Sequence, residues 1–141
     1  MRPILTLLGG LALAVFGLFG YGKTLPAAHV VSRSRRISAR PEVIWGLIND
    51  PVATNGWGGD ANTEVVEQDE PRLLTTKIVG ESAFGGTWTF EIAPDGHDAS
   101  NVTITERGEV YNPMFRVLSR YVFGHTRSIE AYLAKLERAL T

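Results

Sequence analysis

The sequence contains no cysteine, and its charges almost cancel, with 14 Lys and Arg residues against 15 Asp and Glu residues. Without cysteine there can be no disulfide bond, no thiolate metal site and no cysteine nucleophile. A balanced net charge also leaves no basic surplus to hold a phosphate backbone, so nucleic acid is not expected as a partner.

Histidine is also scarce. The chain has three histidines, His29, His97 and His125, and none of them lies at a spacing typical of metal ligands. We interpret them as solvated or capping side chains and predict neither a metal site nor a cofactor. The sequence likewise shows no nucleophile–base pair, carboxylate dyad or phosphate-binding loop that would indicate a particular catalytic chemistry.

What the sequence does contain is a long uncharged segment, "ILTLLGGLALAVFGLFGY", from Ile4 to Tyr21. As a helix these residues would span roughly 27 Å, about the thickness of the hydrocarbon core of a bilayer. Arg2 and Lys23 flank the segment. We predict that residues 1–23 form an uncleaved single-pass membrane anchor.

The alternative for this segment is a signal peptide that is cleaved near Ala27–Ala28, followed by export. The sequence does not determine which side of the membrane the rest of the chain occupies. In either case residues 24–28 are interpreted as a linker, and residues 29–141 as one folded domain.

The periodicity of residues 29–141 changes between that of strands and that of helices. It predicts strands at 29–37, 63–70, 72–80, 85–96 and 101–111, a short helix within 38–50, and a long helix from Pro113 to Leu140. This order is typical of the α+β class, with a curved antiparallel sheet that packs one face on the last helix.

Three stretches carry a family resemblance: "SARPEVIWGLINDP", "TEVVEQDEPRLLTTKI" and "TERGEVYNPMFRVLSRYVFGHTRSIEAYLAKL". In this order they resemble the SRPBCC superfamily, the START-like helix-grip group of polyketide cyclase/dehydrase and lipid-transport domains. The resemblance covers most of residues 29–141. It implies a sheet wrapped around the C-terminal helix, an apolar cavity between them, and binding or transport of hydrophobic molecules, with occasional enzymes.

One departure from the family pattern lies between Trp57 and Thr63, where only "GGDAN" is present. Family members usually carry two more strands at this point, so one hairpin is missing. A smaller sheet encloses less space, and the edge strand that remains exposed is available for pairing, including pairing in a homodimer.

The stretch "GEVYNPMFRVLSRYVFG" (108–124) is apolar around most of a helix. Its large side chains could roof a cavity, fill an ordinary core or contact the bilayer. Under the first interpretation, the ligand-binding residues are those of this helix together with residues of the inner sheet face and the first short helix: Trp45, Trp88, Phe90, Ile92, Ile104, Glu106, Met114, Phe115, Leu118 and Val122.

Glu106 is the most informative polar residue. It is in phase with Val102 and Ile104, which places a carboxylate on the apolar face of a regular strand. There it could accept a hydrogen bond from a ligand or act as a general acid or base with Tyr111 or Tyr121. The alternative is a bulge near 108 that turns Glu106 outward into a salt bridge.

The function that these features favour is a non-catalytic, membrane-anchored domain that binds a hydrophobic small molecule or lipid. The alternatives are a cyclase- or dehydratase-like enzyme that uses Glu106, and an interaction module without a ligand.

Overall fold

A computed structural model describes residues 2–25, 27–57, 62–81, 84–118 and 127–141. Its elements are α1 (Arg2–Thr24), β1 (Ala28–Ile37), α2 (Pro41–Ile48), β2 (Asn62–Asp69), β3 (Leu73–Val79), β4 (Phe84–Pro94), β5 (Ser100–Val110), α3 (Pro113–Leu118) and α4 (Arg127–Ala139). Every predicted strand is present, with its ends within two residues of the prediction. The α+β class is confirmed.

The strands form a five-stranded antiparallel sheet in the order β1-β5-β4-β3-β2. Consecutive strands from β2 to β5 are neighbours, and β1 pairs with β5 from Ala28↔Glu109 to Ile37↔Ser100. The ends of β1 therefore define two ends of the sheet. The α1 end lies where α1 leads into Ala28, and the far end lies about 30 Å away at Ile37.

The core lies between the concave face of the sheet and the helices α2 and α4. The helix α4 buries Ile129, Tyr132, Leu133 and Leu136, which follow the spacing of one helix face. They pack in a single apolar cluster with residues of α2 and the sheet: Ile37, Ile44, Trp45, Ile48, Leu74, Phe90, Ile92, Val102 and Ile104. This arrangement is the predicted helix grip.

Two of the three arginines of "RSRR" in β1 form ion pairs with α4. Arg33 lies 3.3 Å from Glu130, and Arg35 lies 3.4 Å from Glu137. The two glutamates are two helical turns apart, so both face the same strand. Each pair is half-exposed and contributes at most about 1 kcal/mol.

Part of the single helix predicted for Pro113–Leu140 is described. Two helical segments are described, α3 and α4, and residues 119–126 lie outside the described part of the chain. The segments have different partners, because α3 buries none of its residues and contacts α1, whereas α4 packs on the sheet.

The predicted anchor forms α1. Residues Pro3–Thr24 are long and apolar enough to cross a membrane, and within the described part of the chain their most apolar stretch buries no side chain. A signal sequence near the N-terminus meets the same criteria.

Candidate functional site

The packing of the core changes along the concave face of the sheet. Phe90 and Ile104, which face each other across β4 and β5, are both buried. In the next pair towards the α1 end, Trp88 and Glu106 are only half-buried. The solid core therefore ends between these two pairs, and an aromatic ring and a carboxylate are partly accessible beyond it.

Glu106 points inward, on the same face as Ile104. The ladder between β4 and β5 runs without a shift from Phe84↔Val110 to Pro94↔Ser100, so the outward rotation by a bulge is wrong. The indole Nε1 of Trp88 donates to Glu106 Oε1 at 3.1 Å, and Nε2 of His29 lies 3.5 Å from Glu106 Oε2. The carboxylate is thus held between two ring nitrogens, with 19% of the Glu106 side chain still exposed.

A glycine makes room for His29. His29 faces Gly108 across β1 and β5, and a Cβ atom on Gly108 would lie only 2.5 Å from the imidazole Cε1. The absence of a side chain at Gly108 therefore lets the imidazole lie over the strand next to Glu106. His29 was interpreted from the sequence as a solvated or capping side chain, and its contact with Glu106 was not predicted. Its alternation with Val31 and Ile37 was the signal that could have placed it on the inner face.

Tyr132 of α4 closes the other side of the site. Its ring centroid is 5.7 Å from that of Trp88, 5.4 Å from Phe90 and 5.5 Å from Trp57. The pairs of Tyr132 with Trp57 and Trp88 are edge-to-face, which is favourable at these distances, and the first of them holds the segment that ends at Trp57 against α4. Burial raises the pKa of Tyr132, so its hydroxyl stays protonated above about pH 10, where an exposed tyrosine ionises.

Known proteins resemble this chain in structure. No protein-family model matches the sequence, and no curated protein matches it significantly. Among solved structures, a START superfamily protein from Mycobacterium smegmatis superposes with a TM-score of 0.62 at 18% identity, covering 79% of this chain and 97% of that one. The fold is START-like. The predicted resemblance to the SRPBCC superfamily is confirmed at the level of fold.

Two further structures share the START-like fold. A conserved protein from Geobacillus kaustophilus has a TM-score of 0.66 at 14% identity over 79% of this chain and 95% of that one. Norcoclaurine synthase from Thalictrum flavum, in complex with dopamine and hydroxybenzaldehyde, has a TM-score of 0.57 at 11% identity over 79% and 86%. At such identities the likeness shows the fold and not the function.

The predicted ligand-binding residues lie in three parts of the START-like domain. Trp88 and Glu106 belong to the half-open site, whereas Trp45, Phe90, Ile92 and Ile104 are buried in the adjoining core. The residues predicted from the last helix lie elsewhere. On α3, Met114 is half-buried and Phe115 and Leu118 are exposed, and Val122 lies outside the described residues.

Among the described residues, no tyrosine proposed as a partner of Glu106 forms a hydrogen bond with it. The hydroxyl of Tyr111 donates to Glu109 Oε2 at 3.0 Å, and Glu109 precedes it by two residues on the exposed end of β5. This hydrogen bond raises the pKa of Tyr111. Tyr121 lies outside the described part of the chain.

A second depression, of about 650 Å³, lies at the far end of the sheet. It is bounded by the start of α2, the β2–β3 turn and the β4–β5 turn, and charged side chains such as Arg40, Glu42 and Asp98 line it. Its position separates it from the Glu106 site, and its walls combine these charged side chains with apolar ones such as Pro71 and Pro94.

The raised pKa of Tyr132 makes a prediction about alkaline stability. In the unfolded chain tyrosine ionises near pH 10, whereas the folded protein keeps Tyr132 neutral. Ionisation therefore favours the unfolded chain. The free energy of unfolding is unaffected below about pH 10 and falls as the pH rises above it. We expect the free energy of unfolding to fall less steeply above about pH 10 in Tyr132→Phe than in the wild type.

The measurement is urea unfolding of the detergent-solubilised protein, followed by circular dichroism at several alkaline pH values. Tyr111→Phe removes an exposed phenol whose pKa the hydrogen bond to Glu109 also raises, so it should show a smaller change in the same direction. Equal slopes for Tyr132→Phe and the wild type would contradict the prediction.

Proposed function

We propose that this protein is a membrane-anchored domain that binds a hydrophobic small molecule or lipid without catalysis. The observation that carries the proposal is the half-open Trp88–Glu106 pair beyond the solid core. An apolar, aromatic surface with one fixed polar group suits a ligand that has an apolar body and a single polar head.

The fold supports this proposal by example. The START-like norcoclaurine synthase structure accommodates dopamine and hydroxybenzaldehyde, which are both small aromatic molecules. A site of this kind in the present chain would use Trp88 and Tyr132 as its aromatic walls and Glu106 as its acceptor.

The helix α1 supports the anchored state. A membrane-bound domain remains close to the source of an apolar ligand, whose concentration in water is low. Under this proposal residues 1–23 stay attached to the domain of residues 29–141 through the linker 24–28. The intact mass of the protein purified from membranes tests it, because cleavage near Ala27–Ala28 would remove α1.

The first test of ligand binding is native mass spectrometry of the full chain in detergent, with and without a panel of lipids. The proposal predicts a bound lipid on the purified protein or the uptake of at least one class of lipid. Only unliganded protein under both conditions would overturn it.

A pair of carboxylate substitutions tests the site. Glu106→Gln keeps the shape of the side chain and removes its charge. We expect affinity for a fluorescent long-chain amine to fall roughly 10- to 100-fold, because charge-assisted hydrogen bonds contribute about 1.5–3 kcal/mol. Glu91→Gln changes an exposed carboxylate of β4 and should leave affinity unchanged. Fluorescence titration measures both, and an equal effect of the two changes would place the ligand elsewhere.

One observation favours a second candidate function. Glu106 and His29 lie 3.5 Å apart, at a distance where a carboxylate and an imidazole can share acid–base work in a cyclase- or dehydratase-like enzyme. The variant His29→Gln separates the two proposals. An enzyme would lose turnover of its bound ligand and keep binding, and mass spectrometry of the extracted ligand would detect the difference.

The third candidate, an interaction module without a ligand, would use an open edge of the sheet for pairing, for example in a homodimer. All residues of the edge strand β2 are exposed. The register shift between Val65 and Glu67 and the acidic side chains of this strand work against regular pairing. Light scattering of the detergent-solubilised protein tests the homodimer, and a monomer would count against this candidate.

A further inference from the structure

Large apolar side chains are exposed where the sheet and α3 meet the end of α1. Phe84, Tyr111, Phe115 and Leu118 are between 36% and 48% exposed. Phe84 faces Val110 across β4 and β5, and Tyr111 and α3 follow Val110 directly. We call these four residues the α3 patch.

The end of α1 is in direct contact with α3. A Cβ atom added to Gly22 would lie 1.9 Å from the carbonyl oxygen of Pro113, so the two backbones touch. The guanidinium of Arg116 donates to the carbonyl oxygens of Val110 at 2.8 Å and Tyr111 at 3.1 Å, and to that of Gly22 at 3.5 Å. This one side chain therefore connects the ends of α1 and β5 with α3, and it sets the level of the α3 patch along α1.

That level is where a membrane-spanning α1 leaves the bilayer. Lys23 is the first charged residue after the apolar segment, and its ammonium lies 4.9 Å from the ring centroid of Phe19. A lysine at the end of a span places its charge among the headgroups. Because Gly22 contacts Pro113, the α3 patch lies at the same depth, beside a helix whose apolar surface the protein itself does not cover.

We propose that the α3 patch inserts into the lipid surface around α1, so that the START-like domain rests on the bilayer with the α1 end of its sheet. This inference rests on the proposed membrane anchoring. It deepens the proposed function, because Glu106 is four residues before Val110 on β5, roughly 13 Å along the strand, and the half-open site is therefore held close to the lipid from which a ligand would come.

The cysteine-free sequence allows a direct test, since single cysteines can be introduced and spin-labelled in the full chain. Phe115→Cys and Leu118→Cys report on the α3 patch. Leu11→Cys in α1 is the lipid reference, and Val43→Cys on α2, which is 50% exposed near the far end of the sheet, is the water reference. The protein is reconstituted in vesicles of phosphatidylcholine and phosphatidylglycerol, and collisions of each label with oxygen and with a water-soluble nickel complex are measured.

The proposal predicts that the ratio of oxygen to nickel collisions at 115 and 118 approaches that at 11 and is several-fold above that at 43. Adding Gly22→Ala should lower the ratio at 115, because the new methyl group separates α1 from Pro113. Adding Gly20→Ala, where a Cβ atom would have no neighbour within 4 Å, should leave it unchanged.

The other outcomes are distinguishable. A lipid-like label at 11 with water-like labels at 115 and 118 would overturn the insertion of the patch and leave the anchor intact. Labels at 115 and 118 that are shielded from both reagents would also overturn it, since a protein contact would then cover the patch. A water-like label at 11 would overturn the anchoring itself, and the proposed function with it.

Discussion

Replacing Gly86 by alanine is expected to lower the free energy of unfolding by about 3 kcal/mol or more. Gly86 has a φ of 125° within β4, a conformation that residues with a side chain rarely adopt. A Cβ atom there would lie 2.1 Å from the carbonyl oxygen of Arg107 and 2.8 Å from Cα of Gly108. Both neighbours are backbone atoms of β5, so relief would require the two strands to separate next to the Glu106 site.

Two other glycines separate the contributions to this effect. Gly96 also has a positive φ, 78°, but no neighbour within 4 Å of an added Cβ atom, so Gly96→Ala should show only the backbone strain of about 1–2 kcal/mol. Gly46 lies in α2 without such a φ and without close neighbours, and Gly46→Ala should stabilise the protein by about 0.5–1 kcal/mol. Urea unfolding followed by circular dichroism gives the order. If Gly86→Ala and Gly96→Ala were equal, the close approach of β4 and β5 at Gly86 would be refuted.

The second large effect is expected for Leu136→Ala in α4. Leu136 is fully buried against the sheet, and truncation of such a side chain costs about 2–5 kcal/mol, depending on how far the cavity collapses. The matched change, Leu118→Ala in α3, removes the same atoms from a side chain that is 36% exposed and outside the core cluster. We expect its effect on the stability of the detergent-solubilised protein to be below about 1 kcal/mol.

The comparison of these two leucines tests whether α3 and α4 pack in different parts of the protein. Both were predicted to lie on the apolar face of a single helix, and equal losses of stability would mean that α3 belongs to the same core as α4. Thermal unfolding of the two variants in the same detergent is sufficient, because the predicted difference amounts to several degrees in Tm.

Much of the fold was predictable because the patterns that encode it are local. The alternation in β4 and β5 predicted these strands and the inward direction of Trp88, since side chains in a strand alternate between its faces. For Glu106 it predicted the inward direction only if the strand was regular, and a bulge was the alternative. The order of the elements predicted the α+β class, and the family resemblance of three stretches implied the START-like architecture. For the site, alternation could indicate only the face of the sheet on which each strand residue lies.

The remainder depended on contacts between residues far apart in the sequence. His29 and Glu106 are 77 positions apart in the sequence. The register of β1 on β5 and the missing side chain of Gly108 bring them together, and neither leaves a periodic signal in the sequence. Likewise, an apolar face on a helix indicates that the face will be covered, but it does not identify the surface that covers it. Periodicity alone thus established the strands, the helices and their apolar faces. The partners of those faces followed from the folded chain, in which α4 covers the sheet and α3 lies beside α1, because burial depends on which surfaces meet in three dimensions.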